Sequence, residues 1–311
     1  MRKILLSLLM FFMMADAVAQ RIVFTPQWLP QSQFAGYYVA QEKGFYEEVG
    51  LDVVIEHVSA SDFAINRLKE GKCDAITMTL FDAIVNIDDG LDIVNVLQTA
   101  MHTGLVIVPR NNDIKSLEDL RDKRVGIWRT HYNYLSEIMD KDHNLNIEWI
   151  PFVQSINLYI SGAVDATMAM IYNEAYQIYA SGFEDVEFIS LADCGYDFPE
   201  EGIYFTKEFN EQYPDKAKAF AQASRRGWEW AHQHPEEALD IVMKVVEDNN
   251  MPAGRQHQEW MLREVLKLQL DKDSNMPAFE LKEEKIKQIN ELLLENNRIK
   301  KAVTKSQIIG E

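Results

Sequence analysis

Short apolar runs alternate with helix-patterned stretches through most of this 311-residue chain, and that alternation constrains the fold more than any other feature. Strand-like runs stand at 22–24, 51–55, 75–78, 93–97 and 105–108, then restart at 125–127, 147–150 and around Met168 and Met170. Strands that point the same way need a crossover of a dozen or more residues between them, most often a helix. The order therefore predicts an α/β architecture on largely parallel sheets. Helices are expected over 34–43, closed by Gly44, and over 62–70, closed by Gly71. From Pro214 onward the pattern is almost wholly helical, ending in an amphipathic stretch at 281–294.

One segment is echoed. Leu68-Lys69-Glu70-Gly71-Lys72-Cys73-Asp74-Ala75 is answered by Tyr159-Ile160-Ser161-Gly162-Ala163-Val164-Asp165-Ala166. In both, a glycine ends a helix by taking the left-handed turn, and Asp-Ala then opens a short strand. Two similar α/β lobes are expected, a pattern that suits closure over a ligand.

Composition removes several classes of function. Lys and Arg number 31 against 49 Asp and Glu, a net charge of −18, which disfavours nucleic acid and anionic membrane surfaces as partners. Cys73 and Cys194 are the only cysteines, too few for a cysteine-rich zinc or iron–sulfur site, and no metal site is expected. Arg2 and Lys3 precede an apolar run at 4–14 and an Ala17-Val18-Ala19 site. These features predict a secretory signal peptide cleaved after Ala19, the run being too short to cross about 30 Å of hydrocarbon.

In open α/β sheets ligands gather where strands end and helices begin. After the first strand come Trp28, Gln31 and Tyr37, in a loop rich in side-chain amides between aromatic faces. Ser59 follows the second strand, with Ser61 read as a helix N-cap, and Thr79 follows the third. In the second lobe, Trp128 leads a segment through Arg129, Thr130, His131 and Tyr132, and Tyr172-Asn173-Glu174 follows the methionine-bearing strand. A carboxylate and an amide beside a tyrosine, opening a helix, suit a heterocycle with an exocyclic amine. No zinc-protease, nucleophile-elbow, Walker or dinucleotide motif occurs, and His232 and His234 read as a solvated break. Binding is favoured over turnover, and neither catalytic residues nor a cofactor are expected.

The phrase Trp28-x-Pro30-x-x-x-Phe34-Ala35-Gly36-Tyr37-Tyr38-Val39-Ala40-x-Glu42-Lys43-Gly44-Phe45-Tyr46, followed by Gly50-Leu51-Asp52-Val53, resembles substrate-binding proteins of ABC importers related to the yeast thiamine-pyrimidine synthase. Weaker matches at 71–74, 115–120, Trp228 and 234–238 extend the likeness over nearly the whole chain after the signal. The resemblance implies a type II periplasmic-binding-protein fold with two crossover hinges and extra C-terminal helices. Residues 20–102 and 204–311 would form lobe 1, residues 103–203 lobe 2, and residues 1–19 the signal.

It further implies a monomeric periplasmic protein that takes an aminopyrimidine such as formylaminopyrimidine or hydroxymethylpyrimidine and hands it to an inner-membrane ABC permease. Tyr172-Asn173-Glu174 is similar to the pyrimidine-precursor motif, where aromatics stack on the ring and a carboxylate reads its amino group. The alternatives are a synthase-like enzyme, an alkanesulfonate binder or a sensory module. The enzyme would need a cysteine-rich motif absent here, and the likeness places Met78 and Asp82 where it would keep a cofactor-binding lysine and a histidine. A sulfonate binder would need cationic donors, for which Arg129 is the obvious candidate.

Overall fold

The computed structural model describes residues 20–310 apart from 60, 61, 130, 131, 154, 184, 186 and 253. The expected signal peptide, Ser61, Thr130 and His131 lie outside the described residues. Among the described residues ten strands are formed: β1 Gln20–Thr25, β2 Leu51–Ile55, β3 Ala75–Met78, β4 Ile93–Gln98, β5 Leu105–Pro109, β6 Arg124–Trp128, β7 Glu148–Phe152, β8 Ala166–Met170, β9 Ile189–Ser190 and β10 Gly202–Thr206. They make two five-stranded sheets, ordered β2-β1-β3-β10-β4 and β7-β6-β8-β5-β9. Each sheet is the core of one lobe.

The two orders match position by position, and each sheet is mixed rather than parallel. β1 runs parallel to β2 and β3, as β6 does to β7 and β8. The fourth position is antiparallel in both: β10 between β3 and β4, and β5 between β8 and β9. β5 and β10 are the strands that follow the two passages of the chain between the sheets. Each sheet therefore receives its antiparallel strand directly from a crossover.

The echoed segments play one structural part twice. Gly71 and Gly162 take φ of +67° and +77°. Asp74 Oδ2 then accepts the Val23 amide of β1 at 2.8 Å, and Asp165 Oδ2 accepts the Arg124 amide of β6 at 2.9 Å. The two aspartates also donate their own amides to the Val23 and Arg124 carbonyls, each at 2.8 Å. Each aspartate closes the start of a strand onto its parallel neighbour.

The helix Ala35–Glu42 is preceded by a 3-10 turn, Ser32–Phe34, and the expected 62–70 helix is shorter, Ala64–Lys69, with no side-chain cap. The C-terminal helices Pro214–Gln233, Pro235–Asp248, Arg255–Leu268, Glu283–Glu295 and Lys305–Ile309 complete the molecule. Pro214–Gln233 lies against Ala35–Glu42, where Gly36 faces the Trp228 ring and Gly227 faces Gly36. Trp228, Tyr37, Phe24 and Phe220 are all fully buried around this contact, with edge-on ring pairs at 4.9–5.5 Å. Cys73 and Cys194 are both free thiols. Among the described residues no helix is long and apolar enough to cross a membrane.

Candidate functional site

The carboxyl ends of β1, β3, β6 and β8 converge between the lobes. The chain leaves β1 through a loop that no regular structure supports, so side chains hold it. The Gln27 amide donates to Thr77 Oγ1 at 2.9 Å, and the Ser32 amide to Gln258 Oε1 at 2.7 Å. His57 Nδ1 lies 2.7 Å from the Trp28 carbonyl, which can only accept, so this nitrogen carries the hydrogen. His57 Nε2 then accepts from the Tyr38 hydroxyl at 2.7 Å. Burial drops the His57 pKa to about 4, so the ring is neutral and braces Trp28.

At the end of β3, Thr79 caps the helix Leu80–Asp88: its Oγ1 accepts the Asp82 amide at 3.0 Å and donates to Asp82 Oδ2 at 2.9 Å. In the second lobe β6 ends on Trp128. Tyr132, at φ +60°, opens the helix Asn133–His143 and lies 5.6 Å from the Trp128 ring. A left-handed conformation costs a tyrosine about 1–2 kcal/mol, so the surrounding contacts hold it there.

β8 runs through Tyr172 and Asn173 into the helix Glu174–Ala180. Glu174, 4% exposed, gathers three donors: Trp128 Nε1 at 3.3 Å and Asn173 Nδ2 at 3.0 Å on Oε1, and the Met170 amide at 3.0 Å on Oε2. Burial raises its pKa, and these donors pull the other way. Glu174's own amide also favours the charged form, and the carboxylate stands on the wall of a cavity beside Trp128 and Asn173.

Among the described residues twelve line a cavity of about 60 Å³, including Trp28, Gln31, Thr79, Trp128, Tyr172, Asn173 and Glu174. That is room for one small ring. The remaining lining includes Gln27, Gln33, Asp82 and Tyr132. Two expected residues stand elsewhere. Tyr37 is fully buried beneath the loop, its hydroxyl donating to Glu201 at 3.1 Å, and Ser59 is exposed and does not line the cavity. Arg129 is likewise exposed and outside the lining. Among the described residues no Lys, Arg or His lines this cavity.

Sequence reasoning passed over Glu200 and Glu201, on the returning crossover. Glu201 Oε2 accepts from Gln33 at 2.9 Å and Gln27 at 3.4 Å, so it positions two amides of the cleft. Its backbone carbonyl accepts from the Thr99 and Ala100 amides, the Gln98 side chain and the Thr99 hydroxyl at 2.7–2.9 Å, stitching the two crossovers together. Glu200 accepts from Thr103 Oγ1 at 2.6 Å. The signal was there in Asp197-Phe198-Pro199-Glu200-Glu201, three carboxylates packed just before an apolar run.

Burial pushes Glu200 up to about 8 and Glu201 up to about 7. Both hold protons more tightly folded than unfolded, so their contribution to stability is lost as pH rises from the ordinary carboxyl range through 7 and 8. His57 acts in reverse, but only between about 4 and 6.5. Between pH 6.5 and 9 the melting temperature is therefore expected to fall as pH rises, and Glu200→Gln to flatten that slope. Thermal unfolding across the range checks it; equal slopes for both proteins would refute the assignment.

One helix reaches both walls. Arg255–Leu268 supplies Gln258 to the β1 loop, and its Trp260 Nε1 donates to the Ile171 carbonyl at 2.9 Å. His257 stacks on Tyr176 at 4.9 Å.

The family model described as NMT1/THI5 like matches residues 31–238. The riboflavin-binding protein RibY of Chloroflexus aurantiacus is 23% identical over 243 residues, 75% of this chain and 68% of that protein. The formylaminopyrimidine-binding protein of Halalkalibacterium halodurans is 23% identical over 271 residues, 84% of this chain and 80% of that one. Among solved structures, the periplasmic aliphatic sulphonate binding protein SsuA from Escherichia coli superposes with a TM-score of 0.66 at 14% identity, covering 93% of this chain and 91% of that one, a likeness of fold. With more than half its length matched by the family model and its two mixed sheets arranged as in a periplasmic binding protein, the chain belongs to the NMT1/THI5-like family.

Proposed function

We propose that the protein is an exported, periplasmic solute-binding component of an ABC importer, and that it closes its lobes over a thiamine-related aminopyrimidine, formylaminopyrimidine or hydroxymethylpyrimidine, for delivery to an inner-membrane permease. The observation that carries this reading is Glu174: a buried carboxylate on the cavity wall, beside Asn173 and Trp128, where there is room for one ring. Trp28, Trp128 and Tyr172 supply faces for the ring, and the carboxylate takes a hydrogen from its exocyclic amine. Gln31 and Thr79 offer further hydrogen bonds. Tyr37 contributes from beneath by holding Glu201. Ser59 has no part in the proposed contact.

The name of the Halalkalibacterium relative supports a pyrimidine precursor as ligand. A sulfonate is a poorer occupant, since the cavity offers an anion no cationic side chain among the described residues. Binding rather than turnover is favoured because the buried acid is already braced by Trp128, Asn173 and the Met170 amide.

Hydroxymethylpyrimidine at a hundred times its dissociation constant is expected to add about 2.7 kcal/mol of stability, raising the melting temperature by about 5 °C or more. Glu174→Gln turns one acceptor into a donor facing the Met170 amide, and should weaken affinity about tenfold. No heat of binding at millimolar ligand would dispose of the pyrimidine, while leaving the binding-protein fold intact.

A further inference from the structure

Gln27, Gln31 and Gln33 line the ring-sized cavity from the first lobe, and a chain of hydrogen bonds decides which way their amides face. A side-chain amide carries an acceptor oxygen and a donor nitrogen on one carbon, so turning one towards a neighbour turns the other away. The chain starts at Glu201, which is 4% exposed. As a carboxylate it can only accept. Gln33 gives it Nε2 at 2.9 Å, Gln27 gives it Nε2 at 3.4 Å, and Tyr37 gives it a hydroxyl at 3.1 Å. With its nitrogen turned to the carboxylate, Gln33 presents Oε1 to Gln31, whose Nε2 donates to it at 2.7 Å. Gln31 and Gln27 therefore both turn their oxygens away from this chain.

Resting on the reading given under Proposed function, we propose that Glu201 is a positioning residue that sets the hydrogen-bond polarity of this wall, through Gln33 to Gln31. The preferred ligand is then an aminopyrimidine whose second substituent ends in a hydrogen-bond donor. Glu174 reads the amino group from the second lobe, and the amide oxygens of Gln31 and Gln27 read the other donor from the first. A ring that offers only an acceptor there meets oxygen with oxygen, which leaves a buried polar pair unmatched.

The same wiring makes the polarity reversible. A protonated Glu201 has a hydroxyl to donate. Gln33 then turns its oxygen to that hydroxyl and its nitrogen to Gln31, and Gln31 answers with its own oxygen and turns its nitrogen outward. Burial raises the Glu201 pKa to about 7, against the pull of Gln33, Tyr37 and Gln27. The acceptor wall is therefore present above pH 7 and lost as pH falls below it. The other titratable groups that face Glu201 are Tyr37, Tyr38, Tyr132, Tyr172 and Glu200. Burial raises all four tyrosines well above the usual phenol range, so they stay neutral, and raises Glu200 to about 8.

Two probes share the ring and its amino group: hydroxymethylpyrimidine, whose substituent ends in a hydroxyl donor, and its methyl ether, whose substituent keeps only an acceptor oxygen. Calorimetry at pH 8 is expected to show the alcohol binding at least tenfold more tightly than the ether, with the ratio falling towards one at pH 6. Glu201→Gln puts a donor at the head of the chain and Gln33→Met cuts it. In both, the ratio at pH 8 should fall towards one and cease to depend on pH. Glu200→Gln leaves the chain intact and should keep both the ratio and its pH dependence. The extra methyl of the ether costs the same in every protein and at every pH, and a change at Glu174 acts on both probes alike. Ratios on one protein sample are insensitive to partial misfolding. If alcohol and ether bind the wild type equally at pH 8, or if neither variant nor pH moves their ratio, the role of Glu201 is refuted and the pyrimidine reading stands. If neither probe binds, the pyrimidine reading fails and the role of Glu201 falls with it.

Discussion

Gly227→Ala is expected to lower the melting temperature by about 10 °C, a loss of about 3–4 kcal/mol. Inside a helix this exchange ordinarily stabilises by about 1 kcal/mol, because alanine restricts the unfolded chain and is the best helix former. Packing reverses the sign here. A Cβ at 227 would overlap the Gly36 carbonyl oxygen and stand 2.9 Å from Ala40 Cβ and 3.0 Å from the Ala40 amide nitrogen. Most of the opposing atoms are backbone of the Ala35–Glu42 helix and cannot swing aside as a flexible side chain would. The two helices would have to part. Ala35–Glu42 carries Tyr37 and Tyr38, the partners of Glu201 and His57, so the β1 loop would shift with it. Thermal unfolding followed by circular dichroism gives the answer, and a variant as stable as the wild type would contradict the contact.

Glu174→Ala is expected to weaken hydroxymethylpyrimidine binding at least a hundredfold, well beyond the effect of Glu174→Gln, and to cost about 2 kcal/mol of stability. The carboxylate collects Trp128 Nε1, Asn173 Nδ2 and the Met170 amide. Its removal strands all three donors, each worth about 1–3 kcal/mol when buried without a partner. Trp128 and Asn173 line the cavity, so entering water recovers part of that cost. The ligand loses more, since both its proposed recognition group and the brace on Trp128 go together. Calorimetry on the alanine variant decides the matter: wild-type affinity would reduce Glu174 to a structural brace and leave the pyrimidine reading without its carboxylate.

What could be read in advance is whatever the chain encodes over short distances. The first five strands, β6 to β8 and the site-bearing ends of β1, β3, β6 and β8 are each marked by a local apolar run and the turn that follows it. The Asp74 and Asp165 closures are legible for the same reason, as a glycine, two spacers and Asp-Ala recur. The match of Gly36 and Trp228 to the family phrase has a physical cause, since the glycine makes room for the ring. β9 and β10 escaped notice because a two-residue strand, or a five-residue one behind a proline and two glutamates, has no periodicity to display. Glu200 and Glu201 were missed on the same stretch, because their partners Thr103, Gln33 and Gln27 lie about a hundred residues or more away in sequence. Tyr37 misled for the opposite reason. It stands in a site-like phrase, but the helix turns it inward to Glu201.

The placement of β10 also sets an order of events along the growing chain. Gly202–Thr206 lies between β3 and β4, pairing Gly202 with both Met78 and Gln98, so the first sheet has a gap in it until a segment far downstream has been made. The second sheet has no such debt: all its strands lie between Leu105 and Ser190 in one uninterrupted stretch. The half of the molecule that begins at the N-terminus is therefore the last to be finished, and no single cut can release it as a unit that folds alone. A strand with both edges waiting must be kept from wrong partners during that interval. The chain's strong negative charge, which set limits on its binding partners, also keeps incomplete copies apart while they wait.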